Sequence, residues 1–272
     1  MFSKINNSIL TALFAVLLIL VIIIFFVNSD KDERSFRDIL VDIDTTAVSE
    51  IVINSGANNF NPLRIFKEKD DWFVVLKNSK TASVPMTTIT RIFTELSEIK
   101  PKRLASRTKE KWSEFQVDSA GTRVRVSEGN RKTLDIVLGR INYQEQYRNV
   151  STYVRLYNDN DVYETDGFLT YTFNQTTDTF RDGSVIKGDY NTWNNIKFEY
   201  PSDSSFTLIK LNGNWTIDNV ETDSAKTFNY LKSVSGLNKK NFADDYELKT
   251  GETAKYKLTI SNVNLEFIEV SA

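Results

Sequence analysis

The first apolar block of the chain, Ile9 to Val27 (ILTALFAVLLILVIIIFFV), runs for nineteen residues in which Thr11 is the only side chain able to hydrogen-bond. At about 1.5 Å per residue a helix of that length covers roughly 28 Å, close to the ~30 Å hydrocarbon core of a bilayer. The pattern predicts a membrane-spanning helix after a short tail, residues 1–8. A secretory signal would have a shorter apolar core and a small-residue cleavage site. The run instead ends in Phe25-Phe26-Val27-Asn28-Ser29-Asp30, so the segment is expected to remain as an anchor. Residues 28–44 follow as a charged linker in which Phe36, Ile39, Leu40 and Ile43 recur at helical spacing, which predicts a short juxtamembrane helix or stiff stalk.

From residue 45 the period changes to two. Glu50 to Asn54 is a β-branched run closed by a Ser-Gly-Ala-Asn-Asn turn, Leu63 to Lys67 alternates cleanly, and Asp70-Asp71 turns the chain into Trp72 to Leu76. Pro85 then marks the first turn of a helix with Ile89, Ile92, Phe93, Leu96 and Ile99 on one apolar face. A basic connector after Pro101 leads to a short helical turn around Trp112 and Phe115. Strands at Thr122 to Ser127 and Thr133 to Leu138 end at Gly139, and a hairpin at 153–164 turns through Asn158-Asp159-Asn160. Asp166 is expected to cap a helix containing Phe168, Leu169 and Phe173.

The second half repeats the first. Asn195 to Glu199 corresponds to Glu50 to Ile53, Phe206 to Lys210 to Leu63 to Lys67, and Asn212 to Ile217 to Lys69 to Val74. A helix over Asp223 to Ser235 with Phe228, Leu231 and Val234 inward, then strands Tyr256 to Ile260 and Leu265 to Val270, complete the copy. The spacings Ile51 to Trp72 and Ile196 to Trp215, 21 and 19 residues, agree. The expected fold is α+β: two tandem repeats of an antiparallel sheet packed with a helix, residues 45–187 and 188–272, the second either short or cut from a longer chain. Trp72 and Trp215, at equivalent places, are expected to be packing residues.

The strand-turn-Trp-strand pattern, the Tyr153-Val154-Arg155 hairpin followed by Val162-Tyr163-Glu164, and Phe180-Arg181-Asp182 leading into Asn195-Ile196 and Glu199-Tyr200-Pro201 resemble the bacterial domain of unknown function 4340 family over roughly residues 45–272. The resemblance implies a single-span envelope protein, linked to ABC-type exporters and to gliding-motility transporter accessory proteins. It carries over no catalytic residue.

Composition narrows the chemistry. The chain has no cysteine and no histidine, which removes disulfides, thiol nucleophiles, the usual zinc sites and any His-based triad. A net charge of −2 gives no electrostatic reason to expect a nucleic-acid partner. Around the apolar block, Lys4 and the amino terminus precede it while Lys31, Arg34 and Arg37 follow, a count that by itself mildly favours a cytoplasmic domain. Long domains translocate largely regardless of charge, so a first apolar segment this close to the start reads as a signal anchor with the domain in the periplasm.

A serine-lysine set at Ser184-Val185-Ile186-Lys187, Ser202-Asp203-Ser204 and Lys249-Thr250-Gly251 mimics penicillin-recognising enzymes, yet Ser106-Arg107-Thr108-Lys109 matches the first motif equally well and the third falls in a polar loop. The pairs Asp42/Asp44, Asp70/Asp71, Asp159/Asp161 and Asp244/Asp245 read as turns, lacking the glycine and distal glutamate of a calcium loop. No cofactor, metal or catalytic residue is expected. Two stretches look suited to a partner: the loop Arg140 to Tyr153 with Arg140, Tyr143, Tyr147 and Arg148, and the basic connector with Lys102 and Arg103. The expected role is a non-enzymatic, membrane-anchored accessory or scaffold subunit of a membrane complex such as an ABC-type exporter. A periplasmic carrier of an apolar or glycan ligand held between the repeats is the alternative.

Overall fold

Alternation of apolar and polar residues makes most of the chain extended. The computed structural model describes residues 14, 16–19, 37–144, 149–202, 204–239, 241–247, 253–262 and 267–271, and is an α+β fold of two antiparallel sheets with a few helices. Strands β1 (Val48–Asn54), β2 (Pro62–Glu68), β3 (Asp71–Val75) and β4 (Thr81–Val84) precede helix α1 (Met86–Ser97). Strand β5 (Arg103–Ser106) and the single turn α2 (Trp112–Phe115) lead into β6 (Thr122–Glu128), β7 (Arg131–Gln144), β8 (Asn149–Leu156) and β9 (Val162–Asp166). Short helices α3 (Leu169–Phe173) and α4 (Thr177–Phe180) are followed by β10 (Trp193–Glu199), β11 (Phe206–Leu211), β12 (Asn214–Ile217), β13 (Val220–Glu221), α5 (Ser224–Ser235), β14 (Lys257–Asn262) and β15 (Phe267–Ser271).

The larger sheet has the order β4-β3-β2-β1-β6-β7-β8-β9-β5 and the smaller β13-β12-β11-β10-β14-β15. The first six strands of the larger therefore follow the order of all six in the smaller. The likeness extends to detail: β1 and β10 each carry an extra residue between their first and third positions, Val48/Glu50 and Trp193/Asn195. In each, that extra residue brings the first, fourth and sixth side chains to the buried side: Val48, Ile51 and Ile53, and Trp193, Ile196 and Phe198.

Contacts divide the chain into one compact unit of residues 1–64 with 90–175 and another of 65–89 with 176–272. This differs from a boundary at 187/188 because the connecting segment packs with the second unit. Asp182 N donates to Ser83 O (2.8 Å), Val185 N to Leu237 O (3.0 Å), and Ile186 joins the core of Trp193, Ile196, Phe198, Leu208, Leu231 and Ile260.

Several expected elements change. Of the expected juxtamembrane segment 28–44, residues 28–36 lie outside the described residues and 37–44 are irregular; Leu40 is buried and Arg37 reaches Asp159 at 3.6 Å. The basic connector contains β5, an edge strand paired with β9. Strand β7 does not stop at Gly139 but continues to Gln144. Asp166 ends β9 instead of capping a helix, and Phe168 precedes α3. In α5 Thr227, not Phe228, faces inward with Leu231 and Val234, because Thr227 Oγ1 hydrogen-bonds Thr222 Oγ1 (2.8 Å). Phe228 is half exposed against the edge of Tyr190. Trp72 is buried, and Trp215 is half-buried against the second core.

Of the apolar block 9–27 only Phe14 and residues 16–19 are described; they are helical and exposed. The span as a whole lies outside the described residues, among which no helix is long and apolar enough to cross a membrane.

Candidate functional site

In β6 the sequence Thr122-Arg123-Val124-Arg125-Val126 alternates, so with Val124 and Val126 buried on one face Arg123 and Arg125 stand on the other. Register then lines up four strands on that outer face: Asn54 of β1 opposes Arg123, Arg123 opposes Val137 of β7, and Val137 opposes Arg155 of β8. Part of the face is covered by α2, whose Phe115 packs with Val117, Val137, Tyr153 and Val162 in a small separate cluster. Where that cover ends, a cavity of about 710 Å³ opens, bordered by Arg123, Arg125, Arg155, Trp112, Tyr157 and Phe60 among others.

The three guanidinium groups are held differently. Arg123 makes a two-pronged pair with Asp135 (Nε–Oδ1 and Nη2–Oδ2 both 2.8 Å), and Tyr157 lies over it at 3.3 Å. The hydrogen bond to Asp135 raises the pKa of Arg123. Burial pushes Asp135 up, but hydrogen bonds from Arg123 and Lys132 outweigh it and leave the carboxyl lowered. Arg125 donates from Nη2 to Asn54 Oδ1 (2.7 Å). Arg155 is 3% exposed: its Nε donates to Val117 O (3.0 Å) and its Nη1 is shared among the carbonyls of Leu156, Tyr157 and Asp159. Burial pulls its pKa down. The group lies 3.7 Å from the ring centre of Trp112, which is itself pinned by Nε1–H to Asn160 O (3.0 Å).

The residues expected to meet a partner fall into three groups. Lys102 and Arg103 are engaged by β9: Lys102 Nζ lies 2.6 Å from Asp166, and Arg103 Nε 2.5 Å from the buried Glu164, which also accepts from Ser151 and Asn142. Burial alone would raise Glu164, yet these donors hold it below the usual carboxylate range. Arg140 fastens α2 to the sheet, donating to Glu114 O (2.9 Å) with its guanidinium 4.9 Å from the Tyr153 ring centre. Tyr143 is exposed on β7; Tyr147 and Arg148 lie outside the described residues.

Beyond Leu138, β7 has no pairing partner in β6, and β8 pairs with β9 only from Ser151 onward. Residues 143–144 and 149–150 thus pair with each other alone, as the start of a ribbon extending past the neighbouring strands. Missing from the sequence reading were Arg123, Arg125 and Arg155. Their signals were the T-R-V-R-V alternation and an arginine inside the otherwise uncharged run Ser151-Thr152-Tyr153-Val154-Arg155-Leu156.

The described part of the serine-lysine set is engaged in a local ion pair and turn. Lys187 pairs with Asp182 at 2.7 Å, and Ser184 N donates to the same carboxylate (2.9 Å). Lys249, Thr250, Gly251 and Asp203 lie outside the described residues. Burial pushes Asp182 up, but Lys187 and Ser184 overcome it and lower its pKa to about 2. A lowered folded-state pKa gives stability that is present above the unfolded value, near 3.8, and is lost as pH falls through about 2. Asp182→Asn is therefore expected to cost about 1–2 kcal/mol at neutral pH. Melting curves recorded against pH should show the two proteins converging as acid approaches pH about 2. A constant gap across that range would contradict it. The aspartate turns behave as turns: Asp44 Oδ1 accepts from Thr46 N (3.0 Å) and Asp159 Oδ1 from Asp161 N (3.2 Å). Asp244 is instead joined to Arg181 at 2.6 and 2.8 Å.

Fold and site together define an antiparallel α+β protein with a cationic, aromatic-walled cavity on one face of its larger sheet. The model of the family described as Domain of unknown function (DUF4340) matches residues 72–259, and the chain belongs to that family. No match was found among curated proteins or solved structures.

Proposed function

We propose that the chain is a membrane-anchored, non-enzymatic envelope protein that acts by contact, as an accessory or scaffold subunit of a membrane complex such as an ABC-type exporter. The observation that carries the reading is the ribbon of β7 and β8, which runs past its neighbours and exposes Tyr143 on its flank. A two-stranded ribbon is marginal alone and gains by packing on a partner. Exposed tyrosine is a favoured interface anchor. The ribbon's base is built to hold its direction, because Ser151, Asn142 and Arg103 all converge on Glu164. The apolar sequence of residues 9–27 supports a position beside a bilayer. In this reading the domain faces the periplasm.

Extraction of the tagged full chain from its native host in mild detergent should recover transporter subunits in stoichiometric amounts. The variant Tyr143→Ala/Tyr147→Ala/Arg148→Ala should lose them while still folding. Recovery of the chain alone with bound lipid or glycan would move the role to a carrier. A reporter fused after Ala272 that is active only in the cytoplasm would overturn the periplasmic placement.

A further inference from the structure

The fold leaves positive charge in excess on the outer face of β6 to β8, with Asp135 opposite Arg125 in register but hydrogen-bonded to Arg123. Of the three guanidinium groups at the cavity only Arg123 is hydrogen-bonded to a carboxylate among the described residues. Arg125 is held by the amide oxygen of Asn54 and Arg155 by main-chain carbonyls. Neutral acceptors orient a guanidinium without neutralising it, and a cation removed from water favours a counter-charge. Asp118 is the only acidic residue among those lining the cavity, which Lys109 also borders.

A second observation concerns donors. Arg125 Nε is buried with no hydrogen-bond partner among the described residues, and the one described bond of that side chain comes from Nη2. Buried donors are nearly always satisfied, by protein, water or ligand. Flat aromatic side chains stand among these charges: Phe60 and Tyr157 are 46% and 42% exposed, and Trp112 is fixed by Arg155 against its ring and by its N–H, with Lys109 Nζ 5.3 Å from the ring centre. The volume of about 710 Å³ falls in the range of small-molecule sites.

We infer that this cavity binds a small oxyanion, a carboxylate or phosphate carried on a flat ring body, with Arg125 as its charged contact and Trp112 as the wall against which the ring lies. The planar fork of a guanidinium matches both kinds of oxyanion. An aromatic wall receives either an aromatic ring or the apolar face of a sugar. Arg155 is a positioning residue here, since its Nε and Nη1 are directed at carbonyls and its plane supports Trp112.

The four tryptophans give four indole N–H resonances in the full chain held in neutral detergent, and Trp112→Phe assigns the one that matters. Phenyl phosphate, benzoate and glucuronate are titrated against the uncharged benzamide and glucose. The expected result is a saturable shift of the Trp112 resonance for at least one anion, with a Kd of about 1 mM or tighter. Benzamide and glucose should give none. Whether phenyl phosphate or the two carboxylates respond identifies the oxyanion. Arg125→Gln should weaken binding about tenfold or more while the other three indole resonances keep their positions. Arg125→Lys, which keeps the charge and loses the fork, should bind between the two. No saturable shift with any anion up to about 10 mM overturns the inference. So does an equal response to the uncharged compounds, or undiminished binding by Arg125→Gln.

Discussion

Arg155→Met is expected to lower the melting temperature by roughly 6–12 °C, corresponding to about 2–4 kcal/mol. Two effects oppose each other at this position. Replacing a buried cation by an apolar side chain of similar length removes a desolvation cost, which can be neutral or favourable when all partners are replaced as well. Here the partners are main-chain carbonyls of Val117, Leu156, Tyr157 and Asp159, and they stay behind. Leu156 O keeps the Asp159 N–H (3.0 Å), but the carbonyls of Val117, Tyr157 and Asp159 each lose the guanidinium donor at about 1 kcal/mol, and Trp112 loses the plane on which it rests. The loss of donors wins because methionine supplies none. A melting temperature within about 2 °C of the wild type would show that water replaces the guanidinium without penalty.

Gly139→Ala is expected to be at least as damaging, costing about 3 kcal/mol or more. A Cβ at this position would stand 2.2 Å from Phe115 O and 2.7 Å from Val117 Cγ1. The carbonyl belongs to backbone, which gives way only if α2 lifts from β7, and with it would go the small core around Phe115 and the seat of Trp112. Gly129→Ala is the matched control: it has positive φ but nothing within 4 Å, so only the strain of a left-handed alanine remains, about 1 kcal/mol. Denaturation midpoints of the two variants should differ accordingly. Equal midpoints would mean that α2 can move off the sheet freely.

Gly139 also shows why part of the fold was hidden. In the sequence it looks like the end of a strand, and only contact with Phe115 reveals that the strand continues beneath a covering turn. The expected aromatic loop thereby became two paired strands. Strand β5 was concealed for a different reason: edge strands tolerate cations, so Lys102 and Arg103 read as a polar connector until Asp166 and Glu164 accounted for them. Strand β4, Thr81–Val84, offers one buried residue and too little alternation to be seen. In α5 a threonine took the place expected of Phe228 because a hydroxyl partner waited inside.

The candidate site was less legible than the fold. Arginine at alternate positions of β6 marks a polar strand face and nothing more, since 123 and 125 could equally point to open solvent. Arg155 lies 30 residues further along the chain, and no spacing rule joins it to them.

By itself the sequence determined the strand pairs around Ile51, Leu63 and Trp72, the helix of Ile89, Ile92 and Leu96, and the corresponding series around Ile196 and Leu208. These depend on local period and turn chemistry, which neighbouring residues carry. The tertiary structure alone decided the register that aligns Asn54, Arg123, Val137 and Arg155, the passage of Gly139 under Phe115, and the neutral acceptors of two guanidinium groups. Each of these depends on residues distant in the chain meeting across a sheet, where a one-residue shift would turn every side chain to the opposite face.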